Sequence, residues 1–390
     1  MQTKNDNRIL FLDYLRAVAC LLVVFGHIYI IGFNYYEGIQ PWVPSVKGLI
    51  FGPDAYLRNI FTWPVMNFAV LTGINVGALG VGIFFLISGF VILRAVERES
   101  TLRFVVSRIF RIYPVSLTCV FIAGALTAIY CAHTGTTSPN TLTSILASGF
   151  ILNGFLHHFE ATPVLWSLEV ELMFYALMAA MSARGHLSER SILTAAVICA
   201  GYTYVSRSPF AAAVLPHSLF MIAVHLSFDS AHVAFLLVGS MIYRTATARA
   251  WSRLAWCALA VAVSCVARWA FEAEKVYGLG GVDYVNGFAG IGIFAAAMWS
   301  GMNWKWIMPL KWVADISYPL YLVHVPLGWI CLAWLASLGL GMLSAGVITG
   351  ALILLSAWAV HVLVEEPARM LGKGLSSARN AAATGSVAKS

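Results

Sequence analysis

Long apolar runs alternate with short polar segments along almost the whole chain. Ten of these runs have about 17–25 residues, the length at which a helix crosses the hydrocarbon core of a bilayer. The expected spans lie near residues 9–33, 76–95, 105–131, 164–183, 191–207, 231–246, 254–272, 284–302, 313–338 and 343–364. The pattern predicts an all-α, polytopic integral membrane protein with about ten transmembrane helices.

The basic residues predict the orientation of these helices, because loops rich in Lys and Arg stay in the cytoplasm. Segment 209–226 is a further candidate span, but it contains Pro209 and Pro216. If it does not cross, 18 of the 24 Lys and Arg residues lie inside, five lie outside and Arg16 lies within the membrane. Both termini are then cytoplasmic.

The loops are too short to hold a separate catalytic domain. The longest non-spanning stretches are 34–75, 132–163 and 208–230, all predicted outside. We therefore predict one transmembrane domain over residues 1–372. The small, polar residues 373–390 are predicted to form a disordered cytoplasmic tail.

Composition supports a membrane protein and excludes several other classes. Hydrophobic residues make up 60% of the chain and charged residues 11%, whereas soluble domains are about a quarter charged. The net charge of +7 is spread over the ends of apolar runs, so no nucleic-acid partner is expected. The seven cysteines and the histidines show no disulfide or metal spacing. We predict no metal site.

The first predicted span carries an arginine and a histidine, which are costly in hydrocarbon. Arg16 and His27 are eleven residues apart, so they share one helix face about 16 Å apart along the axis. Arg16 lies nearer the cytoplasm and His27 nearer the outside. A functional site is one interpretation. A snorkelling arginine and a packed, hydrogen-bonded histidine are the other.

The turn before the third span is rich in arginine. Arg108 and Arg111 are spaced i, i+3 and therefore share a face at the cytoplasmic end of that span. Guanidinium groups form bidentate hydrogen bonds with phosphate, so the pair is a candidate phosphate site. The alternative is that these arginines only orient the protein.

Two glutamates open the fourth span. Glu169 and Glu171 are about 200° apart around a helix, so only one can face the interior. Glu171 shares its face with Tyr175 at i, i+4. Glu171 is therefore a candidate site residue, and the alternative is a glutamate that stabilises a helix N-terminus.

The ninth span carries a polar stripe. Ser317, Tyr321 and His324 are spaced i, i+4 and i+7 on one face. Pro319 and Pro326 are expected to bend the helix or to free carbonyl groups. The stripe is a candidate site. Interhelical hydrogen bonding is the alternative.

Six motifs in order resemble the acyltransferase-3 family of membrane-bound O-acyltransferases, which includes sugar O-acetyltransferases. The resemblance spans roughly residues 8–370. The motifs are LDYLRAVACLLVVFGH, GVGIFFLISGFVI, FVVSRIFRIYP, WSLEVELMFY, ISYPLYLVHVP and VEEPARM. This chain departs from the family pattern at Tyr14 in place of a glycine, Gly82 in place of an acid and Leu172 in place of a second glutamate.

The resemblance implies an O-acetyltransferase that uses cytoplasmic acetyl-CoA or another acyl-CoA as donor substrate, with no permanently bound cofactor. The implied acceptor is a carbohydrate or glycolipid reached from the outer side of a cell inner membrane, with polysaccharide-assembly proteins as partners. His27 would be the general base. Glu171 would orient that base or the acceptor.

The resemblance also implies which of the remaining candidate residues bind the acyl donor and which bind the substrate. Arg108 and Arg111 would hold the CoA phosphates, and Arg16 would contact the donor and stabilise developing charge. The candidate substrate-binding residues are Ser317, Tyr321 and His324. Direct transfer and an acyl-histidine intermediate both fit.

A secondary transporter is the alternative function, with Arg16, His27 and Glu171 as a substrate or proton relay. Such transporters often have two halves with matching broken helices. The sequence shows no such pairing, which favours the enzyme.

Overall fold

The computed structural model describes residues 10–32, 39–44, 57–156, 158–248, 252–272, 282–300 and 308–375. These residues form helices and connecting turns, and no strand occurs among them. The helices are α1 Leu10–Phe25, continued by π-helical Gly26–Ile31, α2 Leu57–Thr72, α3 Val76–Arg98, α4 Thr101–Thr134, α5 Leu142–Gly149, α6 Asn153–Leu156, α7 Leu165–Ala183, α8 Glu189–Ser206, α9 Pro209–Val214, α10 His217–Ala248, α11 Ser252–Glu272, α12 Val282–Trp299, α13 Met308–Ser337 and α14 Met342–Val360, continued by π-helical His361–Glu365.

Helix α3 lies at the centre of the bundle and contacts α1, α7, α10 and α12. Its approach to α10 is close because both helices present glycine there. A Cβ atom at Gly89 would lie 1.9 Å from the carbonyl oxygen of Leu236, and one at Gly239 would lie 2.4 Å from that of Leu86. Small residues permit such contacts between helices in lipid. Ser240 adds a hydrogen bond by donating to the Gly89 carbonyl at 2.9 Å.

Two further contacts bring the remaining site helices to this centre. Helix α1 packs against α13, and α13 packs against α4. Only Glu99 and Ser100 separate α3 from α4, and the Ser100 hydroxyl caps α4 by accepting from the Arg103 amide. This tight turn places the arginine-rich start of α4 beside the end of α3.

A helix lies at each of the ten predicted intervals, but only seven helices in the described part of the chain are long and apolar enough to cross a membrane. Helices Arg253–Ala267 and Val285–Trp299 are apolar but shorter. The multi-pass membrane fold is therefore supported. The number ten and the cytoplasmic location of both termini stay predictions, as does the single domain over 1–372.

Two predicted boundaries differ from the structure. The sixth span was expected at 231–246, whereas α10 already begins at His217. Pro216 precedes the first residue of this helix, where its fixed φ does not interrupt helical hydrogen bonds. The predicted tail was expected from residue 373, but helix continues to Leu375. Residues 376–390 lie outside the described part.

The proposed orientation can be tested at the start of α10. We expect Ser218→Cys, an exposed position, to react with a membrane-impermeant maleimide added from outside, in a background without the seven native cysteines. Arg184→Cys, at the exposed end of α7, is the matched control and should react only after the membrane is opened. Labelling of Ser218→Cys only from the cytoplasm would reverse the assignment.

Candidate active site

A cavity of about 740 Å³, including its open mouth, lies where α1, α3, α4, α7 and α13 meet. Six of the eight predicted site residues line it: Arg16, Arg108, Arg111, Glu171, Ser317 and Tyr321. Phe84, Phe85 and Val91 are among its apolar lining. An apolar cavity with a few converging polar groups is typical of small-molecule sites.

The two arginines of α4 face this cavity with unused donors. The Arg108 guanidinium lies over the rings of Phe104 and Tyr175, 5.4 and 5.7 Å from their centroids. Its Nε is buried without a hydrogen-bond partner. Neither Arg108 nor Arg111 makes a hydrogen bond or salt bridge with another described residue. An anion with several oxygen atoms would satisfy both groups.

Glu171 lies in the same cavity, together with Tyr175, which was predicted to share its face. Its Oε1 accepts hydrogen bonds from the Ser88 hydroxyl at 2.6 Å and from the Tyr175 hydroxyl. The carboxylate also interacts electrostatically with Arg111. Glu169 points elsewhere and contacts His225, which confirms that the two glutamates take different faces. Glu171 makes no described contact with His27, so the structure gives no support to the expectation that it orients this histidine.

Arg16 lines the cavity from α1. Its guanidinium lies 3.5 Å from the Asp13 carboxylate, one turn earlier. Ser317 and Tyr321 line the cavity from α13. The Tyr321 hydroxyl bonds Ser167 at 2.6 Å, and the Ser317 hydroxyl donates to the Ala314 carbonyl. Tyr321 therefore provides the interhelical hydrogen bond that was the alternative interpretation of the stripe.

His27 and His324 form a pair next to the cavity. His27 lies in the π-helical segment that continues α1, a local form common at functional sites. His324 directly precedes Val325, where α13 leaves helical geometry at the residue before Pro326. The expected bend is thus present at the second proline. His27 Nδ1 and His324 Nε2 are 3.2 Å apart, and the ring of Tyr321 lies 5.8 Å from that of His324.

The hydrogen bonds of this pair indicate which nitrogens carry protons. His324 Nδ1 lies 2.7 Å from the Tyr321 carbonyl, an acceptor, so it carries a proton and the neutral ring leaves Nε2 as acceptor. His27 Nδ1 lies 3.1 Å from the Val23 carbonyl, which is also an acceptor. His27 Nδ1 therefore carries a proton too. His27 Nε2 then holds a lone pair, and no described residue bonds to it. This assignment follows from the bonding pattern.

Sequence analysis missed several contacts around this pair. The Trp329 indole donates to the His27 carbonyl at 2.8 Å, and its ring lies 5.8 Å from that of Trp42. It also missed a polar cluster of Glu169, His225 and Asp229 on the other face of α7. The i, i+4 spacing of His225 and Asp229 was a usable signal for two ligands on one helix face.

Comparisons with known proteins agree with the composition of the site. Residues 9–362 match the family model described as "Acyltransferase domain". The "Exopolysaccharide production protein ExoZ" of Rhizobium meliloti (strain 1021) is 37% identical over 116 residues, covering 27% of this chain and 34% of that protein. The match therefore spans about a third of the relative's length. No solved structure matches the chain significantly.

Proposed function

The chain belongs to the acyltransferase family whose model it matches, and from that membership we propose that it is a membrane O-acyltransferase acting on an extracytoplasmic carbohydrate. The donor in this proposal is acyl-CoA, with acetyl as the acyl group, bound from the cytoplasmic side of the cell inner membrane. The acceptor is a hydroxyl of a surface glycan.

The observation that carries the proposal is that two chemically different groups lie in or beside one cavity. Arg108 and Arg111 present unused guanidinium donors within it. The His27–His324 pair lies beyond Tyr321, and His27 keeps a lone pair on Nε2. The guanidinium donors suit binding of the CoA phosphates. The lone pair of His27 suits removal of a proton from an alcohol.

These groups support the following reaction. His27 Nε2 accepts the proton of the acceptor hydroxyl while the hydroxyl oxygen attacks the thioester carbonyl carbon. The tetrahedral intermediate collapses by breaking the carbon–sulfur bond, and the thiolate of CoA receives the proton from His27. Arg16 lines the cavity and supplies positive charge for the intermediate. An acyl-histidine route would use the same nitrogen and release CoA before the acceptor reacts.

The class of acceptor rests on the relative. ExoZ is named for exopolysaccharide production, which supports exopolysaccharide as acceptor and polysaccharide-assembly proteins as partners. Lipopolysaccharide and other cell-envelope glycans present equivalent hydroxyl groups. Analysis of O-acyl groups on each glycan, with and without the gene, distinguishes them.

The proposed function predicts that the purified protein releases CoA from acetyl-CoA and that release accelerates when the correct glycan is added. Release can be followed with a thiol reagent, and transfer by mass spectrometry of the glycan. Glycan O-acyl groups that do not change on deletion of the gene, together with no CoA release, would overturn the proposal. Substrate counterflow in liposomes would then favour the transporter.

A further inference from the structure

A second polar cluster lies on the face of α7 opposite Glu171. Glu169, His225 and Asp229 each offer one ligand atom, and these atoms lie within 4.8 Å of one another. His225 Nε2 is 2.8 Å from Glu169 Oε1 and 3.9 Å from Asp229 Oδ2. None of the three residues lines the cavity described above.

Asp229 distinguishes this cluster from an ordinary ion pair. Its side chain is 1% exposed, and neither carboxylate oxygen has a hydrogen-bond partner. A buried carboxylate without hydrogen bonds is strongly destabilising unless a cation or proton compensates it. The basic side chain that lies nearest to Asp229 is His225. The ring of His225 already makes a shorter contact with Glu169.

A third carboxyl group lies near the cluster. Glu160 interacts electrostatically with both Glu169 and His225, and Asn153 hydrogen-bonds Glu160. Three carboxyl groups thus surround one imidazole. The Arg207 guanidinium donates to the Ser227 hydroxyl, two residues before Asp229, at 3.3 Å.

The backbone of α6 packs directly against two of the ligand side chains. A Cβ atom at Gly154 would lie 2.3 Å from His225 Nε2 and 2.8 Å from Glu169 Oε2. Only glycine fits at this position without displacing both side chains. The imidazole is 26% exposed, so the cluster can be reached from outside the protein.

We propose that Glu169, His225 and Asp229 bind a divalent transition-metal cation, with Zn²⁺ as the ion that the donor set suits. Imidazole nitrogen and carboxylate oxygen both bind Zn²⁺, and three protein ligands leave one coordination position for water. Ligand atoms about 2.0–2.1 Å from a tetrahedral ion lie about 3.4 Å apart. The two measured separations are 2.8 and 3.9 Å. The shorter one is a hydrogen bond donated by His225 Nε2, so the ion would take the place of the proton on this nitrogen, which is released on binding.

The bound ion would join two helices, and a third segment packs against its ligands. Glu169 belongs to α7, His225 and Asp229 belong to α10, and Gly154 belongs to α6. Glu171, two residues after Glu169, faces the cavity. The ion would therefore fix the helix that presents Glu171, from a site outside the cavity of the proposed transfer reaction.

The test is Zn²⁺ binding by the full chain in detergent after treatment with a chelator, measured by calorimetry, with Mn²⁺ as a second probe. We expect one Zn²⁺ per chain. Asp229→Asn and His225→Gln should each weaken binding by about 100-fold or more, since loss of an outer-shell group alone costs 10–100-fold. Thermal unfolding of the parent should shift upward with Zn²⁺.

His361→Gln is the matched control, because His361 also contacts two carboxylates but through different ring nitrogens. Its Zn²⁺ affinity should equal that of the parent. Gly154→Ala keeps all three ligands and should still weaken Zn²⁺ binding, because its methyl group would displace two of them. This variant tests the proposal even if a ligand variant does not fold. A parent without stoichiometric Zn²⁺ or Mn²⁺, or ligand variants that bind like the parent, would overturn the proposal in favour of a proton-sharing cluster.

Discussion

His27→Ala is expected to lower kcat for acyl transfer by at least about a hundredfold while the protein still inserts and folds. A positioned general base contributes roughly 10²–10⁴-fold, and the substitution removes the one nitrogen of the pair that holds a lone pair without a partner. The measurement is CoA release at saturating acetyl-CoA and acceptor. Insertion is checked by monodisperse elution in detergent and an unchanged affinity for CoA.

His133→Ala is the matched control for this prediction. His133 is an exposed histidine near the end of α4, far in sequence from the pair, and its loss should leave kcat unchanged. Transfer at the parental rate by a properly inserted His27→Ala protein would remove His27 from the mechanism.

His324 tests whether the pair acts as a unit. Its Nε2 lies 3.2 Å from His27 Nδ1, so we propose that it positions His27 and does not act as the base. His324→Gln keeps an oxygen that can accept this hydrogen bond and should retain more activity than His324→Leu. Equal activity of the two variants would show that the bond does not orient His27.

Sequence reasoning identified the elements of this site because its signals are local. Runs of apolar residues indicated helices, and helical periodicity placed Glu171 beside Tyr175, where the structure has their hydrogen bond. The i, i+3 spacing of Arg108 and Arg111 likewise placed both arginines on one face of α4, and in the structure both line the cavity. These inferences need only the geometry of one helix.

The proposed chemistry depends on contacts between residues that are far apart in the sequence. Such contacts could not be predicted from the sequence. His27 and His324 are 297 residues apart, and their contact depends on how α1 packs against α13 and on where α13 breaks. Glu169 and His225 belong to different helices in the same way. Periodicity assigns a residue to a face, but it does not identify the helix that this face meets.

The arginine pair gives the second large prediction, which separates donor binding from orientation of the protein. If Arg108 and Arg111 only keep their end of α4 in the cytoplasm, lysine should replace them without loss, because the positive-inside rule counts charge. If they bind phosphate through planar guanidinium groups, lysine keeps the charge and loses the bidentate geometry. We expect Arg108→Lys and Arg111→Lys each to weaken CoA binding about ten- to a hundredfold, from the loss of a charged hydrogen bond of roughly 1.5–3 kcal/mol.

The measurement is calorimetric titration of each variant with CoA and with pantetheine, which has the same thiol arm without the phosphates. The loss should appear for CoA and be absent for pantetheine, since only the phosphates contact the guanidinium groups. Arg103→Lys is the matched control, because Arg103 is an exposed arginine of the same helix start that does not line the cavity. Lysine variants of Arg108 and Arg111 that bind CoA like the parent would show that the two arginines serve orientation alone, and the donor phosphates would then have to be sought elsewhere on the protein.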